Sequence, residues 1–479
     1  MKKFLILINV ICLMFSNVIT TKAEVIENST INYSNSIDDK ATITAEKPQV
    51  NAKAAIVMEA STGAILYSKN IHDSYYPASI TKILTTLLAL ENSSLGETVT
   101  FSKESIFDVD LDSSRIGIDV GEKLSMEESL YGIMLESANE VSYAVAEHIS
   151  GDVESFSELM NKKAKELGAK DSHFVNPHGL PDSNHYTSAY DMALISRAAI
   201  NNPTFREITA TKTFTIPPTN IQEEARPLAN HHKFINGAIP YEGAIGGKTG
   251  YTSKAKYTLV TFAEREGMTL ISVIMNCDSI QNEYADTSNI LNYAFNNYSV
   301  YNITEMENPL NTEPTSIFTN NSPVFSTTKS ALKLSPESNI ILPNNASFTD
   351  AKKEISFKPL SKLVEGENII GTISYTYNGM FAGSANIIFH NVASETLLES
   401  TILPLQPVAS ESAQKANNKD DKPGISMKSI IIGILVGTLV LGIGIYIIFV
   451  EIPYRKRRQA YNQKRSRRRR SSDTSYIDL

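Results

Sequence analysis

The tetrapeptide Ser79-Ile80-Thr81-Lys82, set at the start of an apolar run, is the feature that most constrains this chain. The apolar positions of this run repeat at helical spacing: Ile80, Ile83, Leu84, Leu87 and Leu88. This spacing predicts an amphipathic helix with one face in the core, and Pro77 suits its start. Residues three apart on a helix share a face, so we expect the Lys82 amine to reach the Ser79 hydroxyl and take its proton.

The predicted position of Ser79 in the first helical turn favours acyl-transfer chemistry. Free backbone N–H groups and the positive end of the helix dipole can stabilise an anionic intermediate there. Burial of Lys82 on such a helix should lower the pKa of its amine toward that of a useful general base. A serine and a lysine at this spacing are more often solvated helix surface, so the pair needs support from the rest of the chain.

That support comes from two later motifs, Ser137-Ala138-Asn139 and Lys248-Thr249-Gly250. With the first motif they follow the order S-x-x-K, S-x-N and K-T-G, the pattern of class A β-lactamases and penicillin-binding proteins. Taken singly, the second motif could be a helix N-cap cluster and the third a strand followed by a turn. Their order and spacing together favour the catalytic interpretation.

The segments around these motifs resemble the D-alanyl-D-alanine carboxypeptidases, the low-molecular-mass penicillin-binding proteins. The resemblance lies within about Ala52 to Asn276 and rests on the following segments: 77–82 (PASITK), 137–139 (SAN), 174–180 (FVNPHGL), 186–193 (YTSAYDMA) and 246–252 (GGKTGYT). One departure is Glu140, where the family usually has aspartate. We expect it to affect loop packing more than chemistry.

The resemblance implies a mechanism in which Ser79 attacks the penultimate D-alanine of a peptidoglycan stem peptide and forms an acyl-enzyme. Lys82 accepts the serine proton, and Ser137 passes protons between Lys82 and the departing amine. Asn139 holds Lys82 and hydrogen-bonds the substrate backbone. These four residues are the predicted catalytic group.

The resemblance also implies a substrate-binding strand. Lys248 and Thr249 bind the terminal carboxylate, and Gly250 leaves space where a side chain would block the substrate. The backbone N–H of Tyr251 forms the oxyanion hole with that of Ser79. β-Lactams are the expected inhibitors, and no cofactor or metal is expected.

The histidines do not favour a metal site or a Ser-His triad. His178 lies in Asn176-Pro177-His178-Gly179, a turn composition, and the nucleophile already has a lysine partner. His231 and His232 are adjacent and would point apart in a strand, which disfavours a shared metal.

The two ends of the chain predict a membrane-tethered enzyme that faces outward. Residues 1–23 have the basic start, apolar stretch and small residues before a cut after Ala23 that mark a signal peptide. Residues 429–450 are uncharged, apolar and long enough to span a bilayer. The basic residues of the tail 451–479 place it in the cytoplasm by the positive-inside rule. They suit anionic lipid better than nucleic acid.

Between these ends we predict a polar lead-in at 24–49, a catalytic domain at 50–298, a small all-β domain at 301–403 and a linker at 404–428. Early and late strands flank a helical middle, which predicts an α/β fold of the β-lactamase/DD-peptidase type. In it an antiparallel sheet is flanked by helices such as 126–149 and 153–167. In the β domain, Asn378-Gly379 predicts a hairpin.

Two other functions remain open on the sequence alone. A class A β-lactamase shares the three motifs but needs a glutamate-activated water, and Asn176-Pro177-His178-Gly179 stands in place of its acid-bearing loop. A non-catalytic penicillin-sensing or wall-binding membrane protein could keep the fold, although every motif residue is intact. The sequence favours a serine-type D-Ala-D-Ala carboxypeptidase.

Overall fold

The computed structural model describes residues 46–307, 332–358 and 363–391, all within one compact unit, Met1–Glu399. The predicted signal peptide, linker, membrane span and basic tail lie outside these residues. Among the described residues, no helix has both the length and the apolar character that crossing a bilayer requires.

A five-stranded antiparallel sheet organises the catalytic region, in the order β2-β1-β9-β8-β7. Its strands are β1 (Ala54–Glu59), β2 (Ile65–Lys69), β7 (Ala244–Thr252), β8 (Lys256–Arg265) and β9 (Met268–Cys277). Four short strands form two separate two-stranded sheets: β3 (Thr98–Thr100) with β4 (Lys123–Ser125), and β5 (Thr213–Ile216) with β6 (Arg226–Ala229). The sheet therefore joins the start and the end of the region, with the helical middle inserted between β2 and β7.

Both faces of the central sheet are covered, so its strands are apolar on both sides. Ile56 and Met58 of β1 pack into a large core with the helices of the inserted region. Ala55 and Val57, which point the other way, pack against the helix Ile280–Asn297. The predicted α/β sandwich with flanking helices is present.

The described helices begin after polar caps at several points, such as Ser125, Asp152 and Ser188. Their bounds are Lys82–Asn92, Lys103–Phe107, Met126–Leu135, Asn139–Ser150, Val153–Glu166, Ala189–Ile200, Pro203–Ala210, Lys233–Asn236, Ile280–Asn297 and Ile303–Met306. The single helix predicted over 126–149 is wrong. Two helices replace it because Ser137 takes a left-handed backbone conformation (φ 61°), which ends one helix before the next begins.

A second sheet contains six strands, in the order β10-β12-β15-β14-β13 with β11 paired to β15. The strands are β10 (Tyr298–Asn302), β11 (Leu332–Leu334), β12 (Asn339–Pro343), β13 (Lys352–Phe357), β14 (Gly366–Tyr377) and β15 (Met380–Asn391). The predicted hairpin is present: Tyr377 pairs with Met380 across Asn378 and Gly379, both at positive φ. The first strand of this sheet follows directly from the helix Ile280–Asn297.

Candidate active site

Ser79 lies in a short 3₁₀ turn, Ala78–Thr81, that leads directly into the helix Lys82–Asn92. Lys82 is fully buried, and its Nζ lies 3.0 Å from Ser79 Oγ. The predicted serine-lysine contact is therefore present, at a distance suited to proton transfer.

Two more acceptors fix the Lys82 amine. Its Nζ donates to Asn139 Oδ1 at 2.6 Å and to the main-chain oxygen of His178 at 2.6 Å. Burial holds the pKa of Lys82 well below its usual range, and the nearby Lys248 lowers it further, while Glu140 acts in the opposite direction. A lysine in this environment can remain a neutral amine and serve as a base.

Ser137 occupies the turn between the helices Met126–Leu135 and Asn139–Ser150. Its side chain is 4% exposed, and within the described residues its Oγ has no hydrogen-bond partner. Such a hydroxyl is free to accept one proton and donate another. Asn139, two residues on, is held by its own N–H, which donates to Ser114 O at 2.9 Å.

Lys248 and Thr249 lie on β7, the edge strand of the central sheet. Lys248 is 1% exposed and donates to Thr249 O at 3.0 Å. Burial lowers its pKa to about 7, and Glu136 opposes that shift. The strand therefore brings a second buried amine to the site. Burial disfavours the charged form of this amine, and Glu136 favours it.

Gly250 allows β7 to lie against the Ser79 turn. A Cβ atom here would lie 2.4 Å from Thr258 Oγ1 and 2.9 Å from the Ser79 backbone nitrogen. We predicted that this glycine leaves space for the substrate. The structure adds a second reason, because a side chain here would push β7 away from Thr258 and Ser79. The next residue, Tyr251, is 56% exposed.

Sequence reasoning missed the part played by the loop 174–187. It places the His178 carbonyl on Lys82, and Thr85 Oγ1 donates to Pro177 O at 2.6 Å. His185 Nδ1 accepts from the Val175 N–H, so its Nε2 carries the proton that is shared with Thr81 Oγ1 at 3.0 Å. These contacts attach the segment Ser79–Lys82 and the start of its helix to the loop 174–187. The turn composition gave no signal that a main-chain oxygen would contact the base.

Glu140, which we expected to affect loop packing more than chemistry, contacts a neighbouring loop and also acts on the pKa of Lys82. Its Oε1 accepts from the Ile116 N–H at 2.7 Å. The side chain is fully buried, and burial raises the pKa of its carboxyl group.

Comparison with known proteins gives consistent relatives. The family model described as D-alanyl-D-alanine carboxypeptidase matches residues 41–279. The D-alanyl-D-alanine carboxypeptidase DacF of Bacillus subtilis is 36% identical over 252 residues, which are 52% of this chain and 64% of DacF. DacA of Haemophilus influenzae is 32% identical over 359 residues, 73% of this chain and 86% of DacA. A crystal structure of penicillin-binding protein 5 from Haemophilus influenzae aligns with a TM-score of 0.56 at 27% identity, covering 73% of this chain and 99% of that one.

The fold and the site are those of a serine hydrolase with a buried lysine beside the serine hydroxyl. A hydroxyl lies within proton-transfer distance of a buried amine at the edge of an antiparallel sheet. The chain belongs to the D-alanyl-D-alanine carboxypeptidase family of penicillin-binding serine peptidases. This membership confirms the predicted family and enzyme class.

Proposed function

We propose that Ser79 is the nucleophile that removes the terminal D-alanine from peptidoglycan stem peptides through an acyl-enzyme. The observation that carries this proposal is the 3.0 Å contact between Ser79 Oγ and the buried Lys82 Nζ. It gives the hydroxyl an adjacent base whose pKa burial depresses.

In the acylation step, Ser79 Oγ bonds to the carbonyl carbon of the penultimate D-alanine, and its proton passes to Lys82. The bond from that carbon to the terminal D-alanine nitrogen then breaks, and the departing amine takes a proton from Lys82 by way of Ser137. The unpartnered, buried Ser137 Oγ supports this relay. The backbone N–H groups of Ser79 and Tyr251 stabilise the oxyanion in this scheme.

In the deacylation step, water attacks the ester carbon and gives a proton to Lys82, which returns it to Ser79 as the ester bond breaks. Lys248 and Thr249 hold the terminal carboxylate before the amide is cleaved, which directs the reaction to the end of the peptide. Asn139 holds Lys82 through a 2.6 Å hydrogen bond and contacts the substrate backbone. β-Lactams acylate the same serine.

The alternatives have weaker support. A class A β-lactamase needs a carboxylate beside its deacylating water. In this chain the loop 174–187 instead presents two main-chain carbonyls, those of Pro177 and His178, which accept hydrogen bonds from Thr85 and Lys82. A penicillin sensor that is acylated on Ser79 would need the same activated serine, so D-alanine release is what separates it from the enzyme.

The test uses the purified full-length protein with a fluorescent penicillin and with a peptide ending in D-Ala-D-Ala. We expect a penicillin adduct that peptide mapping places on Ser79, together with released D-alanine. An adduct on Ser79 without D-alanine release would instead favour the sensor, and an adduct on another residue would contradict the proposal.

Replacing Asn139 with aspartate should move the acid limb of the acylation profile to higher pH. Aspartate keeps the shape but puts a negative charge about 2.6 Å from Lys82 Nζ. An opposite charge this close raises the pKa of an amine by about 1–3 units, so Lys82 is protonated over more of the pH range. We expect penicillin acylation at pH 7 to slow by about tenfold or more. The measurement is the acylation rate from pH 5 to 10.

The exposed Asn201 offers the matched control, since Asn201→Asp makes the same change away from the site. Its acid limb should coincide with that of the unmodified protein. An Asn139→Asp limb that also coincides would mean that Lys82 is not the group that sets it.

We further propose that the protein is a single-pass membrane protein with residues 50–298 as an extracytoplasmic catalytic domain. The apolar span 429–450 and the basic tail 451–479 support this arrangement. The all-β domain, proposed as 301–403, then separates the enzyme from the membrane. Release of the protein from carbonate-washed membranes would contradict the proposed span.

A further inference from the structure

A short segment, Ala229–His232, connects the Ser137 turn to the Lys248 strand. On one side it contacts Glu136, the residue before Ser137. Glu136 Oε1 accepts from the Ala229 N–H at 2.7 Å, and Glu136 Oε2 lies 2.9 Å from His231 Nε2. The His231 N–H also points to Leu135 O at 3.3 Å. Glu136 therefore fixes the end of its helix to this segment just before the chain turns at Ser137.

On the other side the segment contacts the sheet through His232. His232 Nε2 lies 2.9 Å from Thr261 Oγ1, and a Cβ on Gly247 would approach this nitrogen to 2.5 Å. Gly247 directly precedes Lys248. The two histidines thus lie between the carboxylate of Glu136 and the strand that carries Lys248.

Lys248 and Lys82 are two buried amines that repel each other, so a proton on one disfavours a proton on the other. The charged and titratable groups that face Lys248 are Lys82, Glu136 and His232, and burial lowers the pKa of His232 to about 3, which leaves it neutral. Those that face Lys82 are Lys248, Glu140, His178 and His185.

The two carboxylates near the pair are not equivalent. Glu140 Oε1 accepts from the Ile116 N–H at 2.7 Å, and burial raises the pKa of its carboxyl group. Glu136 is only partly buried, and its two oxygens meet an N–H donor and a histidine nitrogen. Glu136 is thus the carboxylate that acts on Lys248, whereas Glu140 acts on Lys82.

We propose that Glu136 is a positioning residue that keeps the proton of this lysine pair on Lys248. Lys248 then remains an ammonium group for the substrate's carboxylate, and Lys82 remains an amine for Ser79. This inference rests on the proposed function, and it adds to that function a residue outside the three motifs.

The test is the pH profile of kcat/KM for D-alanine release by full-length Glu136→Gln. Glutamine can keep the hydrogen bond to Ala229 but loses the charge, so Lys248 gives up its proton at lower pH. We expect the alkaline limb to move to lower pH by about one unit, which lowers kcat/KM about tenfold on that limb, mainly through KM. At pH 6 the two proteins should differ little.

Two variants separate charge from structure. Glu127→Gln removes a charge from an exposed position on the same helix and should leave the limb in place. Glu136→Asp keeps the charge on a shorter side chain and should retain the original limb, even if its overall rate is lower. If the Glu136→Gln protein is recovered in poor yield, the rate of penicillin labelling gives the same profile, because only folded molecules react.

The proposal is overturned if Glu136→Gln lowers the rate equally at every pH, because that pattern indicates a structural role alone. It is also overturned if Glu136→Asp moves the limb as far as Glu136→Gln does. A different result, no D-alanine release by the unmodified protein at any pH, would count against the proposed function itself.

Discussion

Alanine in place of Ser79 is expected to reduce D-alanine release by on the order of 10⁴-fold or more and to abolish covalent penicillin labelling. The substitution removes the atom that forms the acyl bond, and loss of a nucleophile leaves only the contribution of binding and positioning. Stability should change little, because Lys82 keeps its bonds to Asn139 and His178. Steady-state release, labelling and thermal unfolding measure these three effects.

Ser93→Ala is the matched control for Ser79→Ala. Ser93 caps the other end of the same helix, and its Oγ donates to Ala89 O at 2.6 Å. We expect a small loss of stability and normal activity. Penicillin labelling that survives in Ser79→Ala would show that another residue is the nucleophile.

Gly179→Ala is expected to have the second largest effect, on both activity and stability. An added Cβ would lie 1.8 Å from the Ala78 carbonyl oxygen, and Gly179 has a φ of +85°. The Cβ atom would clash with a backbone carbonyl, which no side-chain rotation can relieve, so the loop 174–187 must move away from the Ser79 turn and carry the His178 carbonyl off Lys82. We expect activity to fall about 100-fold or more and the free energy of unfolding to fall by about 2–4 kcal/mol.

Gly151→Ala separates this clash from backbone strain. Gly151 has nearly the same backbone angle, φ +82°, but a Cβ atom added there would have no described atom within 4 Å. The substitution should cost about 1–2 kcal/mol of stability and leave kcat/KM unchanged. Equal effects of the two substitutions, measured by denaturant unfolding and D-alanine release, would contradict the clash as the cause.

The chemistry was predictable from the sequence where it depends on local spacing. Ser79 and Lys82 are three residues apart, and the helical turn that contains Ser79 and leads into the helix Lys82–Asn92 brings their side chains together. The early and late strands of the central sheet were also predictable, because their apolar runs are bounded by turn residues.

What the sequence did not predict depends on tertiary contacts. The run 126–149 has helical periodicity throughout, and the break at Ser137 follows from a backbone angle that serine rarely adopts. The contact of Lys82 with the His178 carbonyl involves a main-chain atom, which every residue has. Gly250 lies on a strand, β7, as predicted, but the neighbours that require it to be glycine come from β8 and the Ser79 turn.

The pairing of β1 with β9 has a consequence for how the molecule reaches its native state. Ala54 of β1 pairs with Met275 of β9. The first strand of the sheet therefore gains this partner only after nearly the whole catalytic region has been synthesised. Contacts between such distant residues form slowly because a long loop must close first. A partly made chain therefore cannot complete the sheet until β9 has been synthesised.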